Sequence, residues 1–214
     1  PTAAAFVTGD DVVVRLGSHA APMPVCALAH IPLAGSHNVA NVLAAALAAA
    51  LFGAPADAIG DAVRAYRPAE HVLERVAVVD GVTFVNDTKA TNEAAAIAAL
   101  DAVAAPVVLI AGGKDKGVDL SAFAARSAQR ARAIYLIGET AGDIARDVTA
   151  AGGPTPVLCA SLEEAVRRSA EAARPGDTVL LAPACSSHDM FVDYSARGEQ
   201  FREIVHKLIA ERPS

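Results

Sequence analysis

Two rhythms of apolar residues divide the chain. Up to about residue 68 two strands are followed by two helices. Asp11–Leu16 and Cys26–Leu33 read as strands, with Gly17-Ser18-His19 and Pro22/Pro24 marking a turn between them. Ala34-Gly35-Ser36-His37-Asn38 then opens a long Ala-rich helix, Val39–Phe52, closed by Gly53 with Pro55 beyond it. A second, short helix follows Asp57 and ends before Pro68. From Leu73 onward strands and helices alternate. Leu73–Val79 and Val82–Val85 flank Asp80-Gly81, a two-residue hairpin signal. Next come helix 93–103, strand Pro106–Ala111, helix 120–131, strand Ala133–Gly138, helix 141–151, strand Pro156–Ala160, helix 162–173, strand Thr178–Ala182 and a last helix from about Ser195 to Ala210. Such alternation predicts βαβ units: an α/β fold with a mostly parallel, Rossmann-like sheet and helices on both faces. Arg67-Pro68-Ala69, where the pattern changes, is the expected linker between residues 1–68 and 69–214.

Composition narrows the classes. Hydrophobic residues make up 53% of the 214 and charged residues 20%, enough apolar surface for a sizeable core. Aromatics are only 4% and Trp is absent, so Ala, Val, Leu and Ile must build that core. The formal net charge is −6 and the 18 basic residues are scattered, which argues against a nucleic-acid surface. Cys26, Cys159 and Cys185 are odd in number and far apart without a C-x-x-C, so neither a disulfide framework nor a zinc site is indicated and a reducing cytoplasm is the simplest setting. His19, His30 and His37 lack a metal-ligand spacing. The longest apolar candidate, Val39–Phe52, is too short for a membrane span. Pro1-Thr2-Ala3 carries neither a basic leader nor an initiator Met and reads as an internal start.

In a parallel sheet the loops that follow strands emerge on one edge, where α/β folds bind ligands. Three such loops are unusually polar. Asn86-Asp87-Thr88-Lys89-Ala90-Thr91-Asn92 places an acid, a base, two hydroxyls and two amides before a helix. Asp87 suits a sugar hydroxyl, Lys89 a phosphate, and Thr91 or Asn92 a helix cap or a carboxylate; an ordinary polar turn with Asn92 as N-cap is the competing reading. The second loop is Gly112-Gly113-Lys114-Asp115-Lys116-Gly117-Val118-Asp119, where Lys116 reads as a ligand clamp or as a surface ion-pairing group. The third is Pro183-Ala184-Cys185-Ser186-Ser187-His188-Asp189, whose serines suit capping or carboxylate binding and whose Cys185 suits packing. The loop Gly138–Thr140 is plainer, and Thr140 reads as a cap. The G-x-x-x-x-G-K-[ST] phosphate loop and the G-x-G-x-x-G dinucleotide fingerprint are both missing.

Taken in order and spacing, four segments resemble the Mur ligase family, and within it the D-glutamate-adding branch, from about Ile31 to the end. They are Gly35-Ser36-His37-Asn38-Val39-Ala40-Asn41, similar to the family's G-x-H-N-x-x-N; Asn86–Asn92, similar to N-D-S-K-A-T-N with Thr88 for Ser; Leu109–Asp119, similar to L-I-x-G-G-x-x-K-x-x-D; and Leu181–Gly198, similar to L-S-P-A-C-A-S-x-D-x-F…R-G. The resemblance implies that residues 1–68 are the end of a central ATP-binding domain and 69–214 the carboxyl-terminal Rossmann-like domain. The phosphate loop, the metal ligands and hence most contacts to ATP and Mg2+ would then lie upstream.

The reaction implied is addition of D-glutamate to UDP-N-acetylmuramoyl-L-alanine in peptidoglycan precursor synthesis. ATP phosphorylates the alanyl carboxylate, the D-glutamate amine attacks the acyl phosphate, and phosphate leaves. By the same resemblance Asn38, Asn41, Asp87 and Lys89 would contact the nucleotide. Thr91, Lys116, Ser187, His188 (through its backbone) and Tyr194 would surround D-glutamate. The chain departs from the family at His71-Val72, where His-Arg is usual, with Arg75 a nearby substitute. It also carries Tyr194 for a usual Phe, and His188 where an apolar residue is common. The competing expectations are another amino-acid-adding Mur ligase, although the diaminopimelate-adding D-N-P-R signature is missing, a folylpolyglutamate synthase relative, or a non-catalytic binding module.

Overall fold

A computed structural model describes residues 3–32, 35–67 and 69–211. The chain divides into two compact units, Pro1–Ala69 and Glu70–Ser214.

The first unit opens with an antiparallel sheet, β1 (Ala4–Thr8), β2 (Asp11–Arg15) and β3 (Met23–Ala27), in that spatial order. The sequence pattern did not predict β1, whose Ala-rich start is weak strand chemistry. It also shifted β3 toward the carboxyl end by reading Pro24 as part of a turn. Pro24 in fact pairs with Val13 on an edge strand, where a missing N–H is tolerated. The expected continuation from Leu28 is a single 3-10 turn, Leu28–His30, and Leu33 lies outside the described residues. Helices α1 (Ser36–Leu51) and α2 (Ala56–Ala65) cover the sheet, burying Val12, Val14, Val25 and Cys26 against Ala46, Ala50 and Ile59.

The second unit is a six-stranded sheet with β4 (Glu74–Val79), β5 (Val82–Asn86), β6 (Val107–Gly112), β7 (Ala131–Ile137), β8 (Val157–Leu158) and β9 (Thr178–Leu181). Their spatial order is β4-β5-β9-β6-β7-β8. Only β4 is antiparallel, paired to β5 across the Asp80-Gly81 turn, where both residues take positive φ as a tight hairpin requires. The others run parallel. Helices α3 (Glu93–Ala102), α4 (Ser121–Arg130) and α5 (Ala141–Ala150) pack on one face against Leu109, Ala111, Leu136 and Leu180. Helices α6 (Leu162–Ala172) and α7 (Tyr194–Ala210) pack on the other against Val108, Ile110, Val179 and Leu181. Successive residues of β6 therefore serve opposite faces. That is why Val107–Ala111 is a continuous apolar run rather than an alternating one. The expected α/β architecture, a mostly parallel sheet with helices on both faces, is the one observed. Strand β8 is only two residues long, shorter than Pro156–Ala160 suggests.

The insertion of β9 between β5 and β6 positions the site. It brings the loop after β9 between the loops after β5 and β6 at the carboxyl edge of the sheet. Among the described residues no helix is long and apolar enough to cross a membrane.

Candidate functional site

The loop after β5 is built from the inside. Asn86 ends β5 fully buried, and its amide Nδ2 lies 2.9 Å from His71 Nδ1, 3.2 Å from Glu74 Oε2 and 3.3 Å from the Gly198 carbonyl. Its Oδ1 accepts the Thr88 N–H at 3.2 Å. Because Nδ2 can only donate, His71 Nδ1 is the acceptor, and Nε2–H is left to donate to Ser195 Oγ at 3.2 Å. Thr88 Oγ1 donates to the Tyr194 carbonyl at 3.0 Å.

Arg197 closes this interior. It is fully buried, and Nε donates to Thr88 Oγ1 at 2.9 Å. Nη2 donates to the carbonyls of Thr88 at 3.1 Å and Cys185 at 3.2 Å, and Nη1 to that of Ser186 at 3.5 Å. Its partners are neutral oxygens, and burial pulls its pKa down to about 10, still charged at neutral pH. The next residue must be glycine. A Cβ on Gly198 would stand 2.5 Å from His71 Nδ1 and 2.7 Å from Thr88 Cγ2. Sequence reasoning quoted Arg197, Gly198 and Asn86 within motifs and gave them no role. The available signal was a cation followed by glycine inside a helix that is otherwise free of helix breakers.

On this frame the nominated residues find their places. Asp87 is buried, and its Oδ1 accepts the Leu73 N–H at 3.1 Å. Burial pushes its carboxyl up to about 6. Lys89 is exposed on the same loop. Thr91 is half-buried, and its carbonyl accepts from Lys116 Nζ at 3.1 Å, so the loops after β5 and β6 meet at these two residues. Asn92 caps α3 by accepting the Ala95 N–H at 2.9 Å, and Glu93 reaches across to the Phe123 N–H at 2.9 Å.

The loop after β6 is exposed from Lys114 to Asp119. It pairs with the loop after β9 through an isolated bridge of Lys114 with Ser186, whose carbonyl accepts the Lys114 N–H at 2.9 Å. Gly113, with φ 149°, has no room for a Cβ, which would meet the Ser186 carbonyl oxygen at 2.2 Å. Ser187 is buried, His188 exposed, and Tyr194 opens α7 with its side chain partly exposed. Ser186 and Ser187 do not cap α7; Asp193 does, accepting the Ala196 N–H at 2.7 Å.

Thr140 corrects an expectation. It stands at the N-cap position of α5, but its hydroxyl makes no cap bond. Instead Oγ1 accepts the Gly113 N–H and bonds the Gly113 carbonyl, each at 3.1 Å, and touches Cys185 Sγ at 3.3 Å. Beside it Glu139 binds Lys114 Nζ at 2.7 Å and the Asp115 N–H at 3.3 Å. The pair raises the Lys114 pKa and lowers that of Glu139. The plain loop of the sequence thus braces the loop that carries Lys116. Cys185 is buried and free, with burial raising its thiol, and suits packing as its sequence suggested. Arg75 is exposed on the edge strand β4.

In the first unit Asn38 and Asn41 share a face of α1, where Asn41 Nδ2 donates to Asn38 Oδ1 at 3.3 Å. Both line a cavity of about 490 Å³ walled by α1 and α2. The three-residue group Glu70, His71 and Glu199 has atoms close enough for a metal. Its chemistry is that of an ion-pair network instead. Arg202 lies 3.8 Å from Glu70, 2.9 Å from Glu74 and 3.5 Å from Glu199, and the His71 ring is engaged by Asn86 and Ser195.

Comparison with known proteins adds a second line. Residues 71–185 match the glutamate ligase domain of the Mur ligases. Two curated relatives carry the name UDP-N-acetylmuramoylalanine–D-glutamate ligase. That of Acidobacterium capsulatum is 47% identical over 202 residues, covering 94% of this chain and 43% of the relative. That of Symbiobacterium thermophilum is 44% identical over 206 residues, covering 96% and 45%. The chain spans less than half the length of these relatives. Among solved structures, UDP-N-acetylmuramate–alanine ligase of Thermotoga maritima superposes with a TM-score of 0.68 at 13% identity, covering 99% of this chain and 46% of that one. Folylpolyglutamate synthase of Mycobacterium tuberculosis gives 0.61 at 18% identity, covering 98% and 47%. At such identities the likeness is one of fold.

Proposed function

The chain belongs to the Mur ligase family, and from that premise we propose that it is the amino-acid-binding part of an ATP-dependent ligase that joins D-glutamate to UDP-N-acetylmuramoyl-L-alanine. Residues 70–214 then form its carboxyl-terminal domain, and the first unit is the end of a central ATP-binding domain. The observation that carries the proposal is an exposed ammonium group held at Thr91 on the carboxyl edge of the sheet, in a chain whose relatives are named for D-glutamate.

The chemistry follows from the substrate. A dicarboxylic amino acid must be bound by its carboxylates while its amine stays free to attack. Lys116 offers one carboxylate a charge-assisted hydrogen bond, Thr91 and Ser187 offer hydroxyls, and the backbone at His188 offers an N–H. Tyr194 walls the site with an aromatic ring. The amine then attacks the carbonyl carbon of the alanyl phosphate, a C–N bond forms, the C–O bond to phosphate breaks, and the amine loses a proton. The role of these residues is to align the amine and exclude water. Asn38, Asn41 and Lys89 serve the nucleotide. Asp87 suits a ribose hydroxyl, because a buried carboxylate pushed up to about 6 gains from a further donor. Among the described residues the group Glu70, His71 and Glu199 does not fit Mg2+, which prefers oxygen ligands in octahedral array, because its carboxylates lie against Arg202 and the His71 ring bonds Asn86 and Ser195. No step is therefore assigned to the ion within this chain.

The test is Lys116→Ala in the full-length enzyme. The Michaelis constant for D-glutamate should rise by about a hundredfold or more while that for ATP stays put. Near-normal turnover at low D-glutamate would sink the assignment.

A further inference from the structure

Lys116 stands on an exposed stretch, and what fixes that stretch comes from a loop with no assigned part in the reaction. Glu139, after β7, spends one carboxylate oxygen on each of two successive residues: Oε1 takes Lys114 Nζ at 2.7 Å and Oε2 takes the Asp115 N–H at 3.3 Å. The Glu139 N–H is in turn fixed by Asp189 Oδ2 at 3.0 Å, so this brace is anchored to the loop after β9. Thr140, the next residue, holds Gly113 by both its N–H and its carbonyl. Residues 113, 114 and 115 are thus gripped in sequence, and Lys116 is the first residue beyond the grip. Its Cα is about 3.8 Å from that of a tethered neighbour. A loop as exposed as 114–119 would otherwise have to be ordered at each binding event, which weakens affinity.

Charge fits the same purpose. A bare carboxylate near the site would repel an anionic ligand, but the Glu139 charge is balanced by Lys114. We propose that Glu139 is a positioning residue: it holds residues 114 and 115 so that the Lys116 ammonium group stands ready at Thr91 for a carboxylate of the incoming amino acid. This rests on the reading of Lys116 given above. Glu139 does not touch the ligand.

The experiment compares Glu139→Ala, Glu139→Gln and Lys116→Ala in the full-length enzyme, measuring Michaelis constants for D-glutamate, ATP and the UDP-linked substrate together with the melting temperature. Glu139→Ala should raise the D-glutamate constant about tenfold and leave the other two and the melting temperature unchanged. Glu139→Gln keeps an acceptor oxygen and should raise it only about threefold. If Lys116→Ala impairs D-glutamate use and Glu139→Ala does not, the positioning role is wrong and the site reading stands. If Lys116→Ala leaves D-glutamate use intact, the reading beneath falls and takes the positioning role with it. An equal rise in all three constants with a lowered melting temperature would mark a general structural part and overturn the proposal.

Discussion

The loops after β5 and β6 bring their cations to the same sheet edge by opposite means. Residues 86–88 are buried, and Arg197 holds them from below with three hydrogen bonds to neutral oxygens of Thr88 and Cys185 at 3.2 Å or less. Residues 114–119 are exposed and held by an ion pair and by backbone contacts to neighbouring loops. In the low-dielectric interior every unmet polar group is costly, so the first loop has one geometry and no alternative. At the surface water competes for each partner, so the second loop is fixed only as far as its braces hold. A ligand site assembled from both has a rigid floor and an adjustable arm. Substitutions in the floor should therefore be read in stability, and substitutions in the arm in ligand affinity.

The largest effect separating the two halves belongs to Arg197. Arg197→Met would fill much of the same volume and leave the Thr88 and Cys185 carbonyls without their donor. Each buried acceptor so orphaned costs about 1–3 kcal/mol, and the total should be about 3 kcal/mol or more. Urea denaturation of the 214-residue chain measures it. A loss under about 1 kcal/mol, the size of one ordinary hydrogen bond, would mean that the floor is no more rigid than the arm.

Asp87 sharpens the comparison through pH. Its folded carboxyl titrates near 6 against 3.8 in an unfolded chain, because burial disfavours the charge more than the Leu73 N–H favours it. Between those values the folded state binds more protons than the unfolded one. Stability from this group is therefore fully present below about pH 4 and is lost as pH rises to about 6, by about 3 kcal/mol in all. Asp87→Asn removes the titration and keeps an oxygen for Leu73, so the variant should gain over the parent as pH rises from 4 to 7. Parallel stability curves for parent and variant across that range would show that Asp87 is solvated and belongs with the arm.

How far all this was legible depends on which physical signal each residue sends along the chain. The alternation of strands and helices beyond residue 73 is periodic, and the strands Val82–Asn86 and Val107–Gly112 fall within a residue of where the pattern puts them. The Asp80-Gly81 hairpin is local chemistry and was read directly, while the Asn92 cap was one of two readings left open by its loop. Strand β3 was displaced because Pro24 signals a turn unless one knows the strand is an edge. The partnership of Thr91 with Lys116 spans twenty-five residues, and no periodicity announces it. Arg197 was passed over for a related reason. A cation in a helix reads as surface, and only the packing of α7 beneath two loops turns it inward. Thr140 read as a cap because a threonine before a helix usually is one, and only the β6–β7 pairing shows that Gly113 claims its hydroxyl.

The smallest expected effect lies in the arm and bears most directly on the contrast. Lys114→Ala removes the exposed partner of Glu139 and leaves the Lys114 N–H on the Ser186 carbonyl and the Asp115 N–H on Glu139 Oε2 untouched. Both side chains of the pair are nearly half exposed, so the ion pair is screened by water and salt and adds little to folding. The urea midpoint of Lys114→Ala should match that of the parent within the scatter of the measurement, at low and at high salt alike. Amide exchange at residues 114–117 should nonetheless quicken, because local opening needs far less free energy than global unfolding. A midpoint that fell as far as that of Arg197→Met would show the arm to be part of the cooperative core, and the distinction between a rigid floor and an adjustable arm would fail at its lightest contact.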